Sequence, residues 1–143
     1  MTLLTVLRWL AAGLVGFLVI SLGTTLVLEV WFDGVTFHTS SPTVLVVSGV
    51  ANFLVGIAGG VVAALLGGRR PLVSAAVIGG WVTLDTINIL RSDRFDDPAW
   101  FTLLAGVGLV TAALVGGWAV RRHLERRKGD PGGASSADAL RAS

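Results

Sequence analysis

Four long apolar runs constrain this chain more than any other feature. A helix needs about 20 mostly apolar residues to cross the hydrocarbon core of a bilayer. The runs from Trp9 to Leu28, Thr43 to Gly68, Leu72 to Leu90 and Ala99 to Val120 all reach that length. The links between them are short: Trp31 to Pro42, Arg69 to Pro71 and Arg91 to Pro98. Backbone polar groups in lipid must be satisfied within the segment, which favours helix, and short links make successive helices antiparallel. The expected fold class is all-α, an integral membrane four-helix bundle in up-down-up-down order. It is expected to occupy residues 1–123, with helices at about 9–28, 43–68, 72–90 and 99–120. Residues 124–143 read as a basic stretch followed by a Gly/Ala/Ser-rich end too poor in apolar residues to fold, a disordered cytoplasmic tail.

Composition supports this assignment. Only 14% of residues are charged, against about 25% in an average soluble domain, and the shortfall lies in the four runs. Of the 19 glycines, 15 fall inside the runs, where they allow close helix approach, instead of outside them as in a flexible linker. The first run exceeds the roughly 7–15 residues of a signal-peptide core and precedes no small-residue cleavage site, so it is expected to remain as a helix.

Arginine placement sets the expected orientation. Arg8, Arg69, Arg70, Arg121, Arg122, Arg126, Arg127, Lys128 and Arg141 fall on one side of the four spans, and only Arg91 and Arg94 on the other. Basic residues concentrate on the cytoplasmic side, which predicts a multi-pass protein of the cell (inner) membrane with cytoplasmic termini. Trp9 and Trp118 are expected at the inner interface, Trp31 and Trp100 at the outer one. The basic residues thus serve topology and lipid-headgroup contact. No basic face with interleaved aromatics lies outside the spans, so the expected surroundings are the bilayer and no nucleic acid.

One string recurs. Val61 to Gly68 reads VVAALLGG and Val110 to Gly117 reads VTAALVGG, identical at six of eight positions with an offset of 49. Gly23 and Glu29 in the first run echo Gly79 and Asp85 in the third. Either two parallel hairpins arose by duplication, or low-complexity Ala/Gly/Val/Leu helices match by chance. The stretch from Gly59 to Leu72, a Gly-rich helix ending in Gly-Gly-Arg-Arg-Pro before a further Gly-containing helix, resembles a turn in small, uncharacterised bacterial four-helix membrane proteins. The resemblance implies the four-helix topology and carries no activity. Small multidrug exporters, by contrast, place a glutamate midway along the first helix, whereas Glu29 stands at the end of this one.

Chemistry-bearing residues are few. With no cysteine, disulfides, thiolate metal sites and cysteine nucleophiles are excluded. Asp85 is the sharpest candidate, about five residues inside the third run from its acidic end. An ionised aspartate costs about 2.5–3.5 kcal/mol at a helix centre, less nearer the interface. Ser74, Ile78, Trp81, Asp85 and Asn88 repeat at alternating steps of four and three, which predicts an inward polar stripe. Asp85 then serves either as an ion or proton site or as an anchor bonded to Asn88 or to a neighbouring helix. Ser48 and Asn52, one turn apart in the second run, sit at similar depth as supporting ligands or interhelical glue. Two small-residue ladders, Gly56, Gly60, Ala64 and Gly68 in the second run and Gly108, Ala112 and Gly116 in the fourth, predict close packing within the monomer or between copies.

Glu29, Asp33, His38, Asp93, Asp96 and Asp97 match no cation-binding loop spacing and read as solvated acidic loops. His38 and His123 lack a second imidazole for a metal site. No nucleophile elbow or phosphate loop occurs, so neither enzymatic activity nor a cofactor is expected. The expected function is that of a small structural or accessory membrane protein, packing or oligomerising through its Gly-rich faces, with a homo-oligomer or another membrane protein as partner. The alternative is a minimal oligomeric ion or proton-coupled transporter or channel using Asp85.

Overall fold

Prolines, glycines and one serine set where the helices begin and stop. In a computed structural model, described over residues 3–68, 70–92 and 97–128 (127 and 128 by backbone only), every regular element is helical. Helix α1 spans Leu3–Thr25 and passes into a π-helical turn, Leu26–Trp31; α2 spans Pro42–Gly67, α3 Pro71–Arg91 and α4 Ala99–Lys128. All four are long and apolar enough to cross a membrane. Arg69, Asp93, Arg94, Asp96, Arg141 and the rest of the 129–143 end, whose places the sequence predicts, lie outside the described residues.

The helices differ from the expected spans at two ends. Helix α4 continues past Val120 to Lys128, so the basic stretch 124–128 is helical. The exposed Arg121–Glu125 pair, 2.7 Å apart at i,i+4, supports this extension by a few tenths of a kcal/mol. At the other end of the chain, α1 begins six residues earlier than Trp9 and its last turn widens to a π-helix. The Gly34 N–H then donates to the Leu28 carbonyl at 2.9 Å, one residue wider than a Schellman closure, with Asp33 and Gly34 both at positive φ. Pro42 and Pro71 occupy first-turn positions where a missing N–H costs nothing, and Ser41 Oγ accepts from the Val44 N–H at 3.3 Å.

At its other end α2 is stopped by Gly68, at φ 73°. Arg8 of α1 donates from Nε to the Leu66 carbonyl at 3.0 Å, covering one of the carbonyls that a helix terminus leaves without a partner. Arg70 lies over the Trp9 ring at 5.8 Å and Arg122 over Trp118 at 5.1 Å. These contacts gather Arg8, Arg70 and Trp9 at one end of the molecule. Trp9 is buried there, while Trp31, Trp100 and Trp118 are exposed.

Helices α2 and α3 each touch all the others, whereas α1 and α4 do not meet among the described residues. The central layer, Ile20, Ala63, Ile78, Val82 and Ala113, draws one or two residues from every helix. Glycine makes this closeness possible. A methyl added at Gly16 would stand 2.7 Å from the Gly59 carbonyl, and one at Gly117 would stand 2.6 Å from Ala75 Cβ. Outside this core the surface is apolar: 22–28% of the residues in each helix's most apolar window are buried, so most leucines and valines face outward.

Candidate functional site

Asp85 lies on the outside of α3. The buried line of that helix runs through Pro71, Ser74, Ala75, Ile78 and Val82, whereas Trp81, Asp85 and Asn88 are exposed. The expected inward stripe therefore holds for Ser74 and Ile78 and fails for the last three. A stripe stepping by four and three has a period of 3.5, and a straight helix of 3.6 residues per turn drifts about 20° from it per heptad. That drift does not account for Asp85, which falls between Ser74 and Ile78 in helical angle; the difference is along the axis, because no residue of α3 beyond Val82 is buried. Among the described residues no hydrogen bond joins Asp85 to Asn88, Asn52 or any other side chain, so the anchor reading of Asp85 finds no partner there. Trp81 keeps one internal contact, its ring 6.2 Å from that of Phe17 on α1.

Ser48 and Asn52 sit on the other side of this boundary. Ser48 is buried and its hydroxyl donates to the Leu45 carbonyl at 3.1 Å, so it is satisfied by its own helix. Asn52 is half-buried, and its Oδ1 is enclosed without a donor from the described residues; the same holds for Thr24 Oγ1. Gly23 packs on Val55, which brings Thr24 and Asn52 to neighbouring levels of α1 and α2. The structure thus separates the four candidates into an enclosed pair, Ser48 and Asn52, and an outward pair, Asp85 and Asn88.

The small-residue ladders also divide. A methyl at Gly56 would lie 2.7 Å from Ala112 Cβ, one at Gly60 would overlap the Ala113 carbonyl oxygen, and one at Gly116 would overlap the Ile57 carbonyl oxygen. Ala64 is buried as well. Gly56, Gly60 and Gly116, with Ala112 and Ala113, thus seal α2 against α4 inside the chain. Gly68 is not part of the seal, because it ends α2 beside the Arg8 guanidinium, and Gly108 faces open space. Sequence periodicity missed the matching α1 contacts, in which Gly13 meets Val77 and Gly59 meets Ile20.

At the opposite end from the arginines, Asp97 is not simply solvated. Its Oδ1 accepts from the Phe37 N–H at 2.8 Å, and the Phe37 ring packs edge-on to Trp100 at 5.1 Å and beside Phe101. This aromatic cluster ties the first connection to the start of α4. Glu29 and Asp33 are exposed, and His38 packs edge-on to Phe37 at 5.4 Å. Among the described residues no group of three His, Asp or Glu side chains is placed to hold a metal.

Compared with family models, with curated proteins and with solved structures, the chain matches none of them.

Proposed function

We propose that the chain is a small accessory protein of the cell membrane that works by binding a further membrane helix, on a second copy or on another membrane protein, through the outward end of α3. The observation that carries this reading is the exposure of Asp85, Asn88 and Trp81 on a helix whose other exposed residues are apolar, apart from Thr83, whose hydroxyl donates to the Gly79 carbonyl at 2.7 Å, and Arg91 in the last turn. A carboxylate and an amide facing hydrocarbon are costly until they meet a partner. A helix-borne donor or cation on a neighbouring chain supplies one. Because the glycine ladders of α2 and α4 are consumed inside the monomer, association falls to α3 instead of to the Gly-rich faces.

Several contacts support the up-down-up-down order. Gly16 meets Gly59 and Gly23 meets Val55, while Gly117 meets Ala75 and Gly106 meets Thr86, so numbers rise on one helix as they fall on the next. The apolar exterior and the arginines at one end support insertion with cytoplasmic termini. Because the chain has no cysteine, orientation is open to single-cysteine labelling. Thr39→Cys should react with an impermeant thiol reagent on intact cells, and Arg126→Cys only after permeabilisation. Labelling of Arg126→Cys on intact cells reverses the orientation.

The α3 surface is tested by cross-linking in native membranes with a membrane-permeant bismaleimide. Asn88→Cys should give a dimer or a larger adduct, Leu104→Cys on the apolar face of α4 should not, and adding Asp85→Leu should remove the Asn88→Cys product. Equal cross-linking at both positions, or none at Asn88→Cys, contradicts the proposal.

A second reading rests on the same exposure. In an oligomer, outward Asp85 carboxylates of several copies can line a shared path for protons or cations, the minimal transporter or channel of the sequence alternative. The sealed interior argues against a path through one chain, so this reading requires the oligomer.

A further inference from the structure

At the arginine end, an open-sided cavity of about 1000 Å³ lies between the end of α2, the start of α3 and the late turns of α4. Its lining is amphipathic. Leu65, Leu72 and Leu124 form apolar walls, and Arg70, Arg121 and Glu125 stand around them. The charges do not cancel. Glu125 is engaged by Arg121 at 2.7 Å, which leaves Arg70, held over Trp9 at 5.8 Å, as an excess positive charge.

We infer that this cavity is a binding site for an anionic phospholipid, with the headgroup phosphate held by Arg70 and Arg121 and the glycerol and upper acyl chain laid against Leu65, Leu72 and Leu124. The excess of positive charge among the described residues of the cavity suits the negative charge of a phosphodiester. Arginine offers planar paired donors suited to phosphate oxygens, and basic pockets between helices on the cytoplasmic side of a membrane are a recurrent form of headgroup site. A free phosphate satisfies the arginines but leaves the leucines wet, whereas a phospholipid covers both. The proposal rests on the membrane reading and is independent of the α3 surface.

The test uses the full chain purified in a neutral detergent, titrated with phosphatidylglycerol, with phosphatidylcholine and with inorganic phosphate, and read by thermal unfolding and by lipid retention in native mass spectrometry. Phosphatidylglycerol should raise Tm by several degrees and stay bound, and neither of the other two should. Arg70→Gln with Arg121→Gln should weaken the lipid about 25-fold, about fivefold for each arginine at ~1 kcal/mol. The exposed Arg126→Gln should bind as the parent does, and Arg70→Lys with Arg121→Lys should retain part of the effect. Equal shifts with phosphatidylcholine, an equal shift with inorganic phosphate, or an unchanged affinity in the double Gln variant each overturn the site. Alkaline carbonate extraction of native membranes separates this from the wider reading: release of the parent chain defeats membrane insertion itself, whereas retention without selective lipid binding defeats only the cavity assignment.

Discussion

The glycines of α2 and α4 fall into two populations. Gly56, Gly60 and Gly116 lie against the backbone or methyl groups of the facing helix, and Gly49 and Gly108 meet nothing within 4 Å. All sit in similar apolar surroundings. The difference is which way the helix faces, and it separates a sealed α2/α4 seam from outer surfaces that remain unclaimed within the chain. Small residues at four-residue spacing permit close approach without requiring it. The partner helix decides which positions are used.

The largest expected effect breaks the seam. Gly60→Leu and Gly116→Leu each force a side chain into the carbonyl of the facing helix, and should cost roughly 1–3 kcal/mol or more by overpacking. Thermal unfolding in detergent reads this directly. Gly49→Leu and Gly108→Leu should stay within about 0.5 kcal/mol of the parent, as substitutions away from contacts usually do. If all four variants unfold alike, the two populations do not exist.

A smaller effect is expected at Arg8. Arg8→Gln removes the bond to the Leu66 carbonyl and the cation near the end of α2. At an exposed position this should cost under about 1 kcal/mol and shrink further in high salt. A salt-independent loss of several kcal/mol places Arg8 in a different role.

The smallest change, and one whose direction matters more than its size, concerns Asn52. Its enclosed Oδ1 lacks a donor from the described residues, and an unmet buried acceptor costs about 1–3 kcal/mol. Asn52→Leu should therefore leave Tm unchanged or raise it. A marked fall in Tm means that Asn52 makes a bond essential to the fold.

Much of the fold was legible because each part rested on local chemistry. Apolar runs of membrane length gave four helices, and Pro42, Pro71 and the Gly68 stop marked ends that the structure keeps within a residue or two. The repeated string shows where local reading stops. Ala63 and Ala112, Ala64 and Ala113, and Gly67 and Gly116 are buried in both helices, while Leu65 and Leu114 are exposed in both. The copies then part. Gly68 at φ 73° ends α2 and Pro71 opens α3, whereas after Gly117 Trp118-Ala119-Val120 carries α4 onward to Lys128. That extension places Arg121 beside the turn that holds Arg70, a pairing that no spacing in the sequence signals.

Asp85 was legible as the residue to examine and misread in direction. The polar stripe keeps close to one helical face, but that face is covered only as far as Val82, so Asp85 and Asn88, one and two turns further on, are exposed. Ser48 and Asn52 face the enclosed side of α2, so the four polar residues do not form one site among the described residues.

The central claim is that Asp85 serves association and not flux. The most direct measurement is proton and alkali-cation flux into vesicles reconstituted with the parent chain and with Asp85→Asn, which keeps the side-chain shape without the carboxylate. The expected result is that neither protein moves ions above protein-free vesicles. Flux carried by the parent and lost in Asp85→Asn, with both folded to the same Tm, contradicts the claim and makes the oligomeric transporter the function of this chain.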